Sequence, residues 1–546
     1  MLLPREQVRA RGICPFLPRR IHFLARLRAG CGVAGRYSKA IDYLLGRINY
    51  ERIPMQPYQR GEFRLDRMRL LLRLLGNPQD EYGIVHITGT KGKGSTAALL
   101  SAILSREYLT GLYTSPHLER FEERIQINGT PCEPAEFVEL VNLVRHPADQ
   151  IDTDCAQARN YRFDSGPTYF ELTTAMALLH FARRGCQLAV VEVGLGGRLD
   201  STNVVKPLVS VITNISFDHT KQLGRTLAQI AYEKGGIIKP NTPIVSGVLA
   251  NEPRQVITNI ALRQNAPLSQ LGQDFDFCYL PSPEIGTPAR VDYFSRNSAQ
   301  SNQASSLVPQ FQKLDLGLSG RHQAANAALA LATISRLQAA GWNVSTAAIE
   351  AGLANCRWPA RIEVVRQNPL TILDAAHNEA SIAALLETLR ENYPGRQKWL
   401  IFATTREKPV QQMLTQVAGA FDGVILTQYA HNPRAYPLQQ LQADFSEIVQ
   451  RRAGKKGATP QSQLLGTAEG WEMTGYPDRG SIRPSTSRFT FRRKPLHAPR
   501  ALAVADPATA WELAQNWAAN DDVICITGSF FLAAELRSLV VDSHSR

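Results

Sequence analysis

Ile84-Val-His-Ile-Thr-Gly-Thr-Lys-Gly-Lys-Gly-Ser-Thr96 is the stretch on which the fold turns. A short β-branched run, Ile84–Thr88, enters a glycine-rich turn, and an Ala/Leu-rich helical pattern follows through Leu104. Strand, turn and helix N-terminus in that order aim several backbone N–H groups at one point, where the helix dipole favours negative charge. Gly89, Gly92 and Gly94 permit close backbone approach, and Lys93 has the reach for terminal phosphates. The competing reading is a glycine-rich turn with incidental lysines. The flanking strand and helix patterns, which a phosphate loop requires, set it aside. One slot departs from the standard loop: Gly94 stands where Ser or Thr would follow the lysine and hold Mg²⁺. Ser95 can contact phosphate, but a metal needs ligands from elsewhere.

Outward from this stretch, Leu188–Val193, Leu208–Ile215 and Pro243–Val245 read as further strands, and a long amphipathic pattern spans His322–Leu337. Strands alternating with helical patterns predict a mainly parallel sheet with helices on its faces. In such a sheet, ligands bind at the carboxyl ends of the strands. Two residues there are candidate magnesium ligands: Glu192, ending Val190-Val-Glu-Val-Gly-Leu-Gly-Gly-Arg198, and His219, ending Asn214-Ile-Ser-Phe-Asp-His219. Taken alone, either residue would more often be a capping or buried polar group.

The alternation restarts with Thr371–Asp374, Trp399–Ala403, Gly423–Thr427 and Val523–Thr527. The sequence therefore predicts a central α/β domain over 37–355 and a smaller α/β domain over 356–546. Two stretches, 281–310 and 464–500, read as surface insertions expected to bury little. The net charge of +13 is confined to two segments. Residues 1–36 hold eight arginines against Glu6, and residues 476–500 hold six arginines and Lys494 against Asp478. The rest of the chain is formally neutral, which argues against a basic nucleic-acid groove on the folded body. Segment 1–36 reads as a disordered basic extension. The eight cysteines form no C-x-x-C pair, and no apolar run is long enough to span a membrane, so a reduced cytoplasmic protein is expected.

Eight strings in register carry a family resemblance: Gly89-Thr-Lys-Gly-Lys-Gly-Ser95, Tyr113-Thr-Ser-Pro-His-Leu118, Glu192-Val-Gly-Leu-Gly-Gly-Arg-Leu-Asp-Ser-Thr-Asn203, Asp218-His-Thr220, Glu233-Lys-Gly-Gly-Ile237, His322-Gln-Ala-Ala-Asn326, Trp358-Pro-Ala-Arg361 and Asp374-Ala-Ala-His-Asn378. Together they resemble the folylpolyglutamate synthase/dihydrofolate synthase family, within the Mur ligases. The resemblance implies a P-loop Mur-ligase-like ATPase domain followed by a smaller Rossmann-like domain. It implies ATP held by Gly89, Thr90, Lys91, Gly92, Lys93, Gly94, Ser95 and Thr96, with Asn326, Arg361, Asp374 and His377 as further nucleotide contacts. It implies two Mg²⁺ ions on Ser115, Glu192 and His219, with Lys234 carbamylated near the second. Pro116, His117, Phe121, Phe170 and Glu171 match segments beside the family's pterin site, and their plain reading is a loop and a helix start with ordinary caps.

The activity so implied is ATP-dependent amide formation, with Lys93, Lys234, His219 and Glu192 as the catalytic set. The carboxylate of dihydropteroate or a reduced folate is activated as an acyl phosphate, and the amine of L-glutamate displaces phosphate. A monomer that uses neither nucleic acid nor a membrane is expected. Two rivals remain at this point. A Mur-type cell-wall precursor ligase would require a UDP-sugar site. A P-loop NTPase acting with nucleic acid would use the basic segments, but no guanine-reading N-K-x-D string is present.

Overall fold

A computed structural model describes residues 31–49, 65–157, 165–282, 286–296, 307–430, 432–455, 466–467 and 500–541. The chain divides into two compact units, with the division between Trp358 and Pro359.

The first unit is built on an eight-stranded sheet: β1 (Gly83–Thr88), β2 (Thr110–Tyr113), β3 (Ile125–Ile127), β4 (Thr130–Pro131), β5 (Leu188–Glu192), β6 (Val209–Ile212), β7 (Ile244–Ser246) and β8 (Leu268–Gln270). The spatial order is β4-β3-β2-β5-β1-β6-β7-β8. All neighbours from β2 to β8 run parallel, and β3 and β4 add an antiparallel edge. The strand period of two sorts β1 onto two cores. Val85 and Ile87 join Val190, Val209 and Val211 beneath the helices Lys93–Leu104 and Arg321–Ala339. Ile84 joins Ala189 and Val191 beneath the helices Pro134–Gln157 and Tyr169–Arg183. Burial on both faces explains why these strands read as continuous apolar runs rather than alternating ones.

Two expectations are corrected here. Residues 31–36 of the presumed disordered extension open a helix, Cys31–Leu45, whose Tyr37, Ala40 and Leu44 pack into the second core at helical spacing. Residues 1–30 lie outside the described residues. The stretch 281–310 was expected to bury little, yet a three-stranded antiparallel sheet runs through it: β9 (Phe275–Leu280), β10 (Ala289–Arg296) and β11 (Leu307–Leu316). Ala289, Val291 and Tyr293 alternate inward from β10 and are buried in the first core. The Ser, Gln and Asn residues that gave the stretch its surface-like composition lie mostly at 297–306, outside the described residues.

The second unit has seven strands: β12 (Glu363–Gln367), β13 (Leu370–Leu373), β14 (Lys398–Phe402), β15 (Gly423–Leu426), β16 (Gly466–Thr467), β17 (Arg500–Ala503) and β18 (Val523–Thr527). Their order is β12-β13-β18-β14-β15-β17-β16, parallel except for β12. Leu400, Phe402, Val424 and Leu426 form its core with residues of the helices Glu379–Asn392, Val410–Val417 and Leu438–Lys455. Most of the expected insertion at 464–500 lies outside the described residues. No helix among the described residues is long and apolar enough to cross a membrane.

Candidate active site

The turn after β1 brings the sequence motif to the sheet edge. Gly89 and Gly92 have φ of 154° and 80°. A Cβ on Gly89 would lie 1.8 Å from Thr213 Oγ1, and one on Gly92 would lie 2.4 Å from Asn326 Oδ1. Both positions are therefore closed to any side chain. Gly92 is also the N-cap of the helix Lys93–Leu104, and no side chain caps that end. Its first N–H groups are left for a ligand, at the positive end of the helix dipole.

Two amines converge on one backbone oxygen: Lys93 Nζ donates to Gly89 O at 3.1 Å and Lys234 Nζ at 2.9 Å. Lys234 is buried at the end of the helix Leu227–Gly235. Burial, and next the cation of Lys93, push its ammonium well below the usual lysine range. Asn326 is buried, and its Nδ2 donates to Gln323 Oε1 at 2.9 Å.

The loop is fastened to the segment that follows β6. Thr90 N donates to Asn214 O at 2.9 Å and Lys91 N to Asn214 Oδ1 at 2.8 Å. Thr90 Oγ1 donates to Ser216 O at 3.1 Å, Thr213 Oγ1 donates to Lys91 O at 2.5 Å, and Lys91 Nζ pairs with Asp218 Oδ2 at 2.6 Å. Sequence reasoning assigned no role to Asn214, Thr213 or Asp218. Their signal was proximity in sequence to His219, which itself sits half-exposed at φ 49° as N-cap of the short helix Thr220–Leu223.

Glu192 is buried at the end of β5, and its Oε2 accepts the Ser115 N–H at 3.1 Å. A buried carboxylate beside a serine is a hard oxygen set of the kind Mg²⁺ accepts. Among the described residues, no three His, Cys, Asp or Glu side chains form a ready-made metal site. The residues fit Mg²⁺ only as a site completed by phosphate oxygens and water, which is the usual manner of this ion. Asp200, fully buried, holds the turn after Glu192 by accepting Leu195 N at 2.9 Å and Thr202 N at 3.0 Å.

The candidate substrate residues divide. Pro116 is exposed, and His117 is half-buried with Nδ1 accepting Arg124 Nε at 2.8 Å. Phe170 packs on the turn after Glu192, where a Cβ on Gly194 would lie 2.4 Å from its ring. Phe121 is instead a core residue, its ring centroid 4.8 Å from that of Phe137. Glu171 is buried, pairs with Arg67 at 2.8 Å and closes a capping box with Thr168. In the second unit, buried Asp374 follows β13 and accepts Ile362 N at 3.0 Å and Ala376 N at 2.7 Å. Burial raises its carboxyl above the usual range, against the lowering effect of Arg361. His377 Nδ1 lies 2.9 Å from Ala375 O.

Residues 87–334 match the Mur ligase middle domain, and residues 360–463 match the Mur ligase, glutamate ligase domain. The dihydrofolate synthase/folylpolyglutamate synthase of Bacillus subtilis is 34% identical over 385 residues, covering 70% of this chain and 82% of the relative. The folylpolyglutamate synthase of Lacticaseibacillus casei is 34% identical over 374 residues, covering 68% and 82%. The chain belongs to the folylpolyglutamate synthase/dihydrofolate synthase family of Mur ligases. Among solved structures, the Mycobacterium tuberculosis folylpolyglutamate synthase complexed with ADP and AMPPCP matches with TM-score 0.72 and 28% identity, covering 94% of this chain and 99% of that one. This Mur ligase is an ATP-dependent enzyme, and the comparisons favour the folate branch over the cell-wall and nucleic-acid rivals.

Proposed function

We propose that the chain joins L-glutamate to the carboxylate of a pterin substrate, dihydropteroate or a reduced folate, at the expense of ATP. The observation that carries this reading is the uncapped helix end at Gly92, with the amines of Lys93 and Lys234 converging on Gly89 O. An anion seat of that kind suits a triphosphate. The free N–H groups and Lys93 orient the phosphates and offset the charge that grows on them as the substrate carboxylate attacks the γ-phosphorus and ADP leaves. The glutamate amine then attacks the acyl carbon, loses a proton, and phosphate departs with the C–O bond. The oxygen set of Ser115 and Glu192, with His219, is assigned to Mg²⁺, two ions in all, which when bound neutralises phosphate charge. Asn326, Arg361, Asp374 and His377 are assigned to the nucleotide. Pro116, His117 and Phe170 are assigned to the pterin side, whereas the core placement of Phe121 and Glu171 favours a supporting role. The protein acts as a monomer in this reading.

Carbamylation of Lys234 has its own support. Attack on CO₂ needs the neutral amine, and burial together with Lys93 favours that form. The step forms an N–C bond, releases a proton and converts the side chain to an anion.

The test offers purified protein ATP, Mg²⁺ and glutamate with dihydropteroate and tetrahydrofolate separately, and follows phosphate release. Release that depends on glutamate and on at least one pterin is expected. Hydrolysis of ATP indifferent to both would refute the reading.

A further inference from the structure

Gly94 is the odd residue of the phosphate loop, and its surroundings give it a reason. A Cβ built there would lie 3.3 Å from Trp358 Nε1, 3.5 Å from Trp358 Cζ2 and 3.6 Å from Glu192 Oε2. That point is where a standard phosphate loop carries the Cβ of its metal-binding Ser or Thr. The volume that belongs elsewhere to a hydroxyl is thus bordered here by an indole N–H and a carboxylate. Trp358 is half-buried, with its ring packed on the core beneath the phosphate-loop helix. Its Nε1 donates to no protein atom among the described residues and is not fully shut off from solvent. Indole nitrogen is a donor only, and a Trp fixed by packing ordinarily directs that donor to an acceptor.

We propose that Trp358 Nε1–H donates a hydrogen bond to a terminal phosphate oxygen of the bound nucleotide, beside the helix end at Gly92–Gly94. The proposal rests on the reading of ATP at this loop. The indole is a neutral donor and cannot coordinate a cation, so it replaces only the phosphate-orienting part of the absent hydroxyl. Glycine at 94 then leaves the ring its place, since a Cβ there would press on the indole nitrogen edge and the ring would have to give by a few tenths of an ångström. The ring also keeps water from one side of the phosphates, which strengthens each remaining charge interaction there.

The chain has six tryptophans, so the ¹⁵N-labelled protein gives few indole N–H resonances, and the one absent from Trp358→Phe identifies Trp358. On titration of the full-length wild-type protein with AMPPCP, that resonance is expected to move downfield while the others stay nearly still. Inorganic tripolyphosphate should reproduce the direction of the shift. Calorimetry should give AMPPCP binding weakened roughly tenfold to a hundredfold by Trp358→Phe, the range for losing a hydrogen bond to a charged group. Wild-type binding with an unmoved Trp358 resonance, or with Trp358→Phe binding equally well, overturns the proposal. Failure of the wild-type protein to bind AMPPCP at all refutes instead the reading of the loop as a nucleotide seat. The resonance measurement uses the wild-type fold, so it decides the matter even where the variant binds poorly for want of stability.

Discussion

Two helix N-termini in the first unit make opposite use of the same backbone chemistry. The helix Tyr169–Arg183 is closed: Thr168 Oγ1 accepts Glu171 N, and Glu171 Oε2 accepts Thr168 N at 2.8 Å. Arg67 completes the neutralisation of Glu171 from outside the helix. The helix Lys93–Leu104 begins at a glycine with no side-chain cap, and the amines of Lys93 and Lys234 meet on the Gly89 carbonyl just before it. The first arrangement spends its donors on stability, and the second leaves its donors without a side-chain acceptor, which is what the proposed anion seat needs. A matching motif string therefore places a residue near a site without saying which of these uses it serves.

The largest expected effect breaks the open end. Lys93→Ala should lower ligase turnover by about a thousandfold or more, the scale of losing a charge-stabilising donor, with little change in the unfolding midpoint. Steady-state phosphate release and a urea melt, run side by side, check both halves. The closed end should respond the other way round. Glu171→Ala leaves Arg67 buried without its partner and should cost about 3–5 kcal/mol of stability. A turnover loss per folded molecule larger than the stability loss would return Glu171 to the substrate site.

The smallest effect concerns the strand beneath the open end. His86 is wholly buried in β1, its Nε2 lies 2.9 Å from Thr202 Oγ1, and burial, aided by Lys239, lowers its pKa from 6.5 to about 3. Between those values the unfolded chain takes up a proton that the folded one refuses, so stability falls as the pH drops through the interval. Each pH unit there costs up to about 1.4 kcal/mol. His86→Gln keeps a donor for Thr202 without that titration. Its stability, measured by urea unfolding at pH 7, 5.5 and 4, should fall less steeply than that of the wild type.

The parallel strands and the phosphate loop were legible because each carries its signal locally: β-branched runs, then glycines at positions the fold leaves no room to fill. Lys234 was legible only through its string, since nothing in Glu233-Lys-Gly-Gly236 announces burial against Gly89 O. β2 escaped notice because Thr110-Gly-Leu-Tyr113 is four residues long and contains a glycine. That glycine is where Phe181 packs, 2.6 Å from the place of a missing Cβ. Phe121 and Glu171 were drawn to the substrate side by neighbouring letters, although a Thr-x-x-Glu spacing ahead of an apolar helix is also the signature of a cap.

The bonds that fasten Thr90 and Lys91 to Asn214, Ser216 and Asp218 have a thermodynamic consequence. Those bonds order the loop residues during folding, so a triphosphate seated there as proposed would lose little affinity to freezing them. Mutations that loosen Asn214 or Asp218 would tax binding from a distance, without touching a phosphate.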